Sequence, residues 1–244
     1  MSTIFDYEHP YVCTDAVVFS IGTVEADSYR KLPRPQLKVL LYQRQEEPCV
    51  GKWSLPGGFL NIDELPEHNI RRKLSTKTEM TECFLEQLFT FCDLDRDPRA
   101  RVLSIAYLGL ISESDSREIG SGALWFALEM DGAKGMRFRN GETLLTEADF
   151  GFDHGRIIGT ALERLRSKIL YTDLIFHLLQ PEFTLTQLQN VYDAILDKPS
   201  TAANFRRKIG HMVQETERYT ADKGHRPARY YVKKAGGGSE PQWT

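Results

Sequence analysis

PGGFLNIDELPEHNIRRKLSTKTEM, residues 56–80, decides how the first half of the chain is read. It opens on a Pro-Gly-Gly turn, reaches a glutamate at position 64, and continues into a segment of helical character. Ile70 and Leu74 are four apart and form a narrow apolar stripe. Pro66 fits a first helical turn, with Glu64 and Glu67 favourable near the positive helix end. Positions 73, 76 and 77 share one face of that helix, because residues three and four apart are helical neighbours. They hold Lys73, Thr76 and Lys77. A like-charge contact with a dication at about 4 Å costs several kcal/mol at an effective dielectric near 20, so this face is unsuited to a divalent metal. It suits a diphosphate, which lysine meets as a point charge; the alternative role of Lys73 and Lys77 is that of solvated surface residues.

Around this stretch lie short runs rich in Val, Leu, Ile, Phe and Tyr: TDAVVFSIG (14–22), LKVLLYQRQ (37–45), ARVLSIAYLGLIS (100–112) and GALWFALEM (122–130). Bounded by polar, Gly or Pro segments, they are expected to be strands. ELPEHNIRRKLSTKT (64–78) and ECFLEQLFTFC (82–92) are expected to be helices. Strands, helices and further strands predict an α/β (α+β) domain with a mixed sheet between helices.

The 244 residues are 41% hydrophobic and 27% charged, ordinary for a soluble globular protein. No apolar run approaches the roughly 18 residues of a membrane span, and MSTIFDYEHPYV lacks the layout of a secretion signal. Cys13, Cys49, Cys83 and Cys92 are scattered without a C-x-x-C pair, which argues against zinc and a disulfide framework and fits a cytoplasmic protein.

Charge divides the chain. Residues 1–154 carry 17 Lys and Arg against 25 Asp and Glu, whereas residues 155–234 carry 14 against 8. A basic C-terminal part joined to an acidic body points to a polyanionic partner. FDHGRIIGTALERLRSKI (152–169) has apolar positions at helical spacing, Ile158, Ala161, Leu162 and Leu165. TDLIFHLL is expected to be a short helix before Pro181. Thr184 can cap a helix through Leu188, Val191 and Ile195. A turn with Pro199 leads to a second helix capped by Ser200 or Thr201. ERYTADKGHRPARYYVKK follows as two strands around a basic loop. This order predicts a mainly helical winged helix-turn-helix. Asn204, Arg206, Arg207 and Lys208 are candidates for DNA contact, with Ser200 and Thr201 at the helix start, because Asn and Arg make bidentate contacts to base edges. Phe205 and Ile209 form the core stripe, and Lys223, His225, Arg226 and Arg229 crowd the loop where a wing meets phosphates.

Residues 51–80 resemble the Nudix hydrolase family, whose signature is G-x5-E-x7-R-E-U-x-E-E-x-G-U with U aliphatic. Gly58, Glu64, Arg72, Leu74 and Met80 fall at matching positions, and GKWSLPGG (51–58) is typical of the family. The acidic positions depart from the pattern: they hold Lys73, Thr76 and Lys77, and the last Gly is Glu79. In those hydrolases the acidic face holds magnesium through hard oxygen ligands. The resemblance therefore implies a catalytically inactive Nudix fold with no catalytic residue and no metal. It implies an effector site of Arg44, Trp53, Gly57, Gly58, Phe59, Glu64, Arg72, Lys73, Lys77 and Tyr107. Core packing is the competing role of Trp53, Phe59 and Tyr107.

The second half, through FDH, ALERLR, LLQPEFTL, NFRRKI and RPARYY, resembles the C-terminal domain of Nudix-related transcriptional regulators, the NrtR family. The joint resemblance covers roughly residues 10–234. It implies a Nudix-like effector domain (1–152), a winged helix (153–234) and a disordered tail (235–244). It further implies a dimeric repressor of NAD-metabolism genes, with operator DNA and ADP-ribose as partners, no cofactor and no membrane association. Some relatives govern pentose use, and these motifs do not choose the regulon. A working hydrolase using Glu64 with Glu79 or Glu82 is the alternative, and a scaffold without ligand or DNA a third.

Overall fold

The computed structural model describes residues 6–24, 34–117, 119–120, 122–132, 135–169, 171–221 and 227–235. The chain divides into two compact units. One is Met1–Phe19, Val39–Gly109 and Glu118–Ala161; the other is Ser20–Lys38, Leu110–Arg117 and Leu162–Thr244. The division falls at 161/162, within the helix His154–Lys168, whereas the sequence places a boundary at 152/153. The tail expected to be disordered lies almost wholly outside the described residues.

A nine-stranded sheet runs in the order β5-β6-β1-β2-β7-β8-β9, with β3 pairing to β2 and β4 to β1. The strands are β1 Tyr11–Val24, β2 Arg34–Gln43, β3 Trp53–Ser54, β4 Gly57–Phe59, β5 Phe84–Phe91, β6 Val102–Leu110, β7 Ala123–Met130, β8 Met136–Asn140 and β9 Thr143–Leu145. The middle of β1 is a continuous buried run, Ala16 to Phe19, as expected of a strand covered on both faces.

Residues 84–91 correct the sequence reading: they form strand β5, not a helix. FLEQLFTF supports either periodicity over so short a run, but its aromatic content favours a pleated edge beside β6. Only Leu88 and Phe91 are buried there.

Helix α1, Pro66–Thr78, follows the Pro-Gly-Gly turn as expected, with Pro66 in its first turn. It buries Asn69, Ile70, Leu74 and Thr78. It ends at Glu79 in the left-handed conformation (φ 59°), where the hydrolase pattern has glycine.

Helix α2 is His154–Lys168. The segment expected as a short helix before Pro181 is a 3-10 helix, Leu174–Leu178. Helix α3, Leu185–Leu196, begins with a capping box: the Thr184 hydroxyl accepts from the Gln187 N–H, and the Gln187 side chain accepts from the Thr184 N–H. Asp197 closes it in the left-handed region (φ 51°). Helix α4 is Ala202–Ile209, and Phe205 and Ile209 are its buried stripe. Strands β11 (Val213–Tyr219) and β12 (Arg229–Lys233) form the hairpin. The two-residue strand β10, Phe183–Thr184, joins β12 to complete a three-stranded sheet that the sequence did not signal. Among the described residues no helix is long and apolar enough to cross a membrane.

Candidate functional site

Pairing of β1 with β4 sets Thr14 opposite Gly58 and Asp15 opposite Gly57, so the Pro-Gly-Gly turn lies against the start of β1. A cavity of about 320 Å³ opens there. Five cationic side chains line it, Arg44, Lys73, Lys77, Arg96 and Arg99, against the carboxylates of Asp15, Glu46 and Asp97. The balance favours an anion.

Both glycines of the turn are required. A Cβ at Gly57 would meet the Thr14 carbonyl oxygen at 2.2 Å and Asp15 Oδ1 at 2.3 Å. At Gly58, whose φ is +155°, it would meet Lys73 Cε at 2.8 Å and Nζ at 3.0 Å. The Lys73 stem therefore lies directly over the turn. Burial, then Arg72 and Lys77, hold its ammonium below the usual lysine range, so it gains from a bound anion. The Lys77 ammonium donates to the Tyr42 hydroxyl at 2.8 Å and also lines the cavity.

Phe59 and Phe152 supply apolar walls. The Arg99 guanidinium lies 5.3 Å from the Phe59 ring centre and 5.8 Å from that of Phe152, and Arg44 lies 5.0 Å from Phe152. Arg44 is held by its own loop, donating to the carbonyls of Pro48 (2.8 Å) and Glu46 (3.3 Å).

The floor is a buried ionic cluster. Arg96, its side chain 3% exposed, donates to both oxygens of Asp153, at 3.1 and 2.7 Å, and lies 3.7 Å from Asp15 Oδ2. Burial works against the cation, but the Asp153 hydrogen bonds and the two carboxylate charges outweigh it and hold Arg96 above its usual range. Ser104 donates to Asp15 Oδ2 at 2.5 Å. His154 Nδ1 accepts the Leu55 N–H at 3.0 Å, and burial lowers the imidazole pKa, which keeps the ring neutral. Burial, then Asp15, pushes the Cys13 thiol up to about 12, so it stays protonated.

Of the ten expected effector residues, Arg44, Gly57, Gly58, Phe59, Lys73 and Lys77 line the cavity, and Trp53, Glu64, Arg72 and Tyr107 do not. Trp53 packs edge-to-face on Phe126 at 4.6 Å. Tyr107 is 2% exposed, and burial with Glu67 beside it raises its pKa. Glu64 takes a fork from Arg72 (2.7 and 2.6 Å) and a bond from Asn69 (2.8 Å). Arg72 first and Asn69 second hold the Glu64 carboxyl at about 2. Asn69 also donates to the Phe59 carbonyl at 2.8 Å and accepts from Thr14 at 2.6 Å. The glutamate retained from the hydrolase pattern thus anchors α1 to the loop. Thr76 is exposed on α1. Sequence reasoning missed Asp15, Arg96, Asp97, Arg99 and His154. They come from three distant segments, and the only local sign was the charged run CDLDRDPRAR before β6.

In the second unit, Thr201 at the cap of α4 and Asn204, Arg206, Arg207 and Lys208 on it are exposed, while Phe205 packs on Tyr192 at 5.5 Å. This is the polar face expected of a recognition helix. Lys208 leans on α3, donating to the Tyr192 hydroxyl at 3.1 Å. Ser200 is spent on the turn: its N–H donates to Asp193 Oδ1 (3.1 Å), and its carbonyl (2.8 Å) and hydroxyl (3.2 Å) accept from Gln189. Thr201 is the cap residue of α4, without a side-chain cap bond. Arg229 is bound within the hairpin to the Tyr219 hydroxyl and to Glu215. Lys223, His225 and Arg226 lie outside the described residues.

Residues 32–133 match the NUDIX domain, and residues 175–232 match the NrtR DNA-binding winged helix domain. The ADPR responsive transcriptional repressor NtrR of Acinetobacter baylyi is 31% identical over 235 residues, covering 93% of this chain and 83% of the relative. Shewanella oneidensis NrtR, crystallised with a 27mer DNA, superposes with TM-score 0.69 at 32% identity, over 91% of this chain and 93% of its own. A MutT/nudix family protein from Enterococcus faecalis reaches TM-score 0.75 at 25% identity, over 93% and 88%. An ADP-ribose pyrophosphatase of Methanocaldococcus jannaschii is 31% identical over 102 residues, 42% of this chain and 52% of the enzyme.

Proposed function

The chain belongs to the NrtR family of Nudix-related transcriptional regulators, and from that premise we propose that it is a DNA-binding repressor whose Nudix unit senses ADP-ribose or a related nucleotide sugar. One observation carries the sensor reading. Lys73 and Lys77 line the cavity from the helix face that holds magnesium-binding carboxylates in the hydrolases. Two ammonium groups there supply directly the positive charge that a diphosphate needs. Glu64 is engaged by Arg72 and Asn69. Among the described residues no group of three or more His, Cys, Asp and Glu side chains is placed to hold a metal ion. The lysine pair and the engaged Glu64 support ligand binding without hydrolysis.

The exposed Asn204, Arg206 and Arg207 on α4 support base readout in a major groove. A homodimer reading two half-sites about one or two helical turns apart is the arrangement such a regulator uses. The test is binding of the chain to its own upstream DNA, measured by gel shift with and without saturating ADP-ribose in EDTA. Sequence-selective binding weakened by ADP-ribose is the expected result. No selective binding would overturn the regulator reading, and EDTA-sensitive turnover of ADP-ribose would favour the hydrolase.

A further inference from the structure

Asp15 is only 5% exposed, yet it lines the cavity. Its two oxygens are not equivalent. Oδ2 accepts from Ser104 at 2.5 Å and has Arg96 at 3.7 Å and the Cys13 thiol at 3.8 Å. Oδ1 has no hydrogen bond among the described residues; His154 Nε2 stands off at 3.7 Å, beyond hydrogen-bond reach. Among the described residues the buried side-chain oxygens without a partner are Gln36 Oε1 and Ser54 Oγ, so Asp15 Oδ1 keeps access to the cavity that Asp15 lines; it lies beside Gly57, where an added Cβ would sit 2.3 Å away.

The neighbouring glycine faces different chemistry. Gly57 backs onto the Asp15 carboxylate and Gly58 onto the Lys73 ammonium. A ligand lying across the turn thus meets a cation at one glycine and an acceptor-only group at the other. The cation suits a diphosphate. A phosphate oxygen would be repelled by Asp15, whereas a neutral hydroxyl donates to it without charge cost.

Taking the cavity as a nucleotide-sugar site, as above, we propose that Asp15 is its specificity residue. Oδ1 accepts a hydrogen bond from a hydroxyl of the sugar attached beyond the diphosphate. The cavity then selects a diphosphate sugar over a bare nucleoside diphosphate, and Arg96 and Ser104 fix the carboxylate for that task.

Calorimetry in EDTA with the full chain tests this, using ADP-ribose, ADP and an ADP ester of a plain five-carbon alcohol. The wild type should bind ADP-ribose about tenfold or more tighter than ADP or the alkyl ester, the effect of one hydrogen bond to a charged acceptor. Asp15→Asn should erase most of that preference, while ADP, relieved of a repelling carboxylate, should bind no more weakly than to the wild type; that ADP binding reports that the cavity is intact. Should Asp15→Asn fail to fold, the alkyl ester decides on the wild type alone. Equal affinity for ADP-ribose and the ester overturns the inference but leaves the sensor reading standing, as does a variant that loses ADP and ADP-ribose by the same factor. Absence of binding by every ligand overturns both.

Discussion

Replacing Lys73 with methionine keeps the length of the side chain over the Gly58 turn and removes its charge. Two unit charges about 4 Å apart interact by about 4 kcal/mol at an effective dielectric near 20, which is an upper limit for this half-exposed group. A hydrogen bond to a charged partner contributes about 1.5–3 kcal/mol, or roughly 10- to 150-fold in affinity. Calorimetry of ADP-ribose in EDTA should show a loss in that range, and ADP should lose the same factor because the lysine contacts the diphosphate. Operator affinity without effector should not change. The wild type adds a second signature. Burial, Arg72 and Lys77 lower the Lys73 pKa in the free protein, and a bound anion raises it again. Binding therefore takes up protons, and affinity falls as pH rises through the free-state pKa. Titration in buffers of different ionisation enthalpy measures the uptake. Unchanged affinity of Lys73→Met for ADP-ribose, or proton release on binding, would refute the assignment of the lysine to the diphosphate.

Three further expectations concern other parts of the chain. Glu64 is held at about 2, against an ordinary 4.5, so the stability from its ionisation is complete above 4.5 and disappears as pH falls toward 2; Glu64→Gln should flatten the acid limb of the melting-temperature curve, and an unaltered limb contradicts the Arg72–Glu64 fork. Arg207→Ala should cost about 1–3 kcal/mol on the operator and relax preference at one base position, whereas Lys208→Ala, whose side chain leans on Tyr192, should weaken all sequences evenly and lower the salt slope by about one, both read by anisotropy across salt. Wild-type chain should turn over no ADP-ribose with magnesium, while Lys73→Glu with Thr76→Glu and Lys77→Glu should gain manganese binding in calorimetry; EDTA-sensitive turnover by the wild type is the contrary outcome.

How much of this was legible depended on whether the signal was local. The turn, α1 and the altered acidic face lie within 25 consecutive residues, so spacing alone placed Gly58, Lys73 and Lys77 together. The Thr184 cap and the Phe205–Ile209 stripe were legible for the same reason, since helix caps and faces are written three and four residues apart. Strand β5 was not, because Phe84, Leu85, Leu88, Phe89 and Phe91 satisfy a helical and an extended pattern alike and pairing with β6 chose between them. The cavity floor was invisible for a different reason. Asp15, Arg96 and His154 meet through the sheet and the entry to α2, and their separations in sequence follow no period. For Trp53 and Tyr107 the sequence offers two roles, ligand contact and core packing, and contact with Phe126 and burial beside Glu67 settle them on packing.

The exchange of carboxylates for lysines has a consequence for sensing as well as for catalysis. A diphosphate needs positive charge to be held, and either a metal ion or an ammonium group supplies it. The metal does more, because it lowers the pKa of a bound water and polarises the phosphoryl group, which together cleave the ligand. An ammonium group polarises far less and carries no water into line. On the sensor reading proposed above, a cavity with Lys73 and Lys77 in that place separates binding from cleavage: the ligand leaves as it came, occupancy follows its concentration, and the equilibrium with DNA is set by mass action. By linkage, an effector that weakens operator binding by a given factor binds the operator complex more weakly by that same factor, typically about 5- to 150-fold for such couplings. A protein that destroyed its ligand would hold no such equilibrium. On this view, keeping the Gly57–Gly58 turn while losing the acidic face is what a concentration sensor built on a hydrolase fold requires.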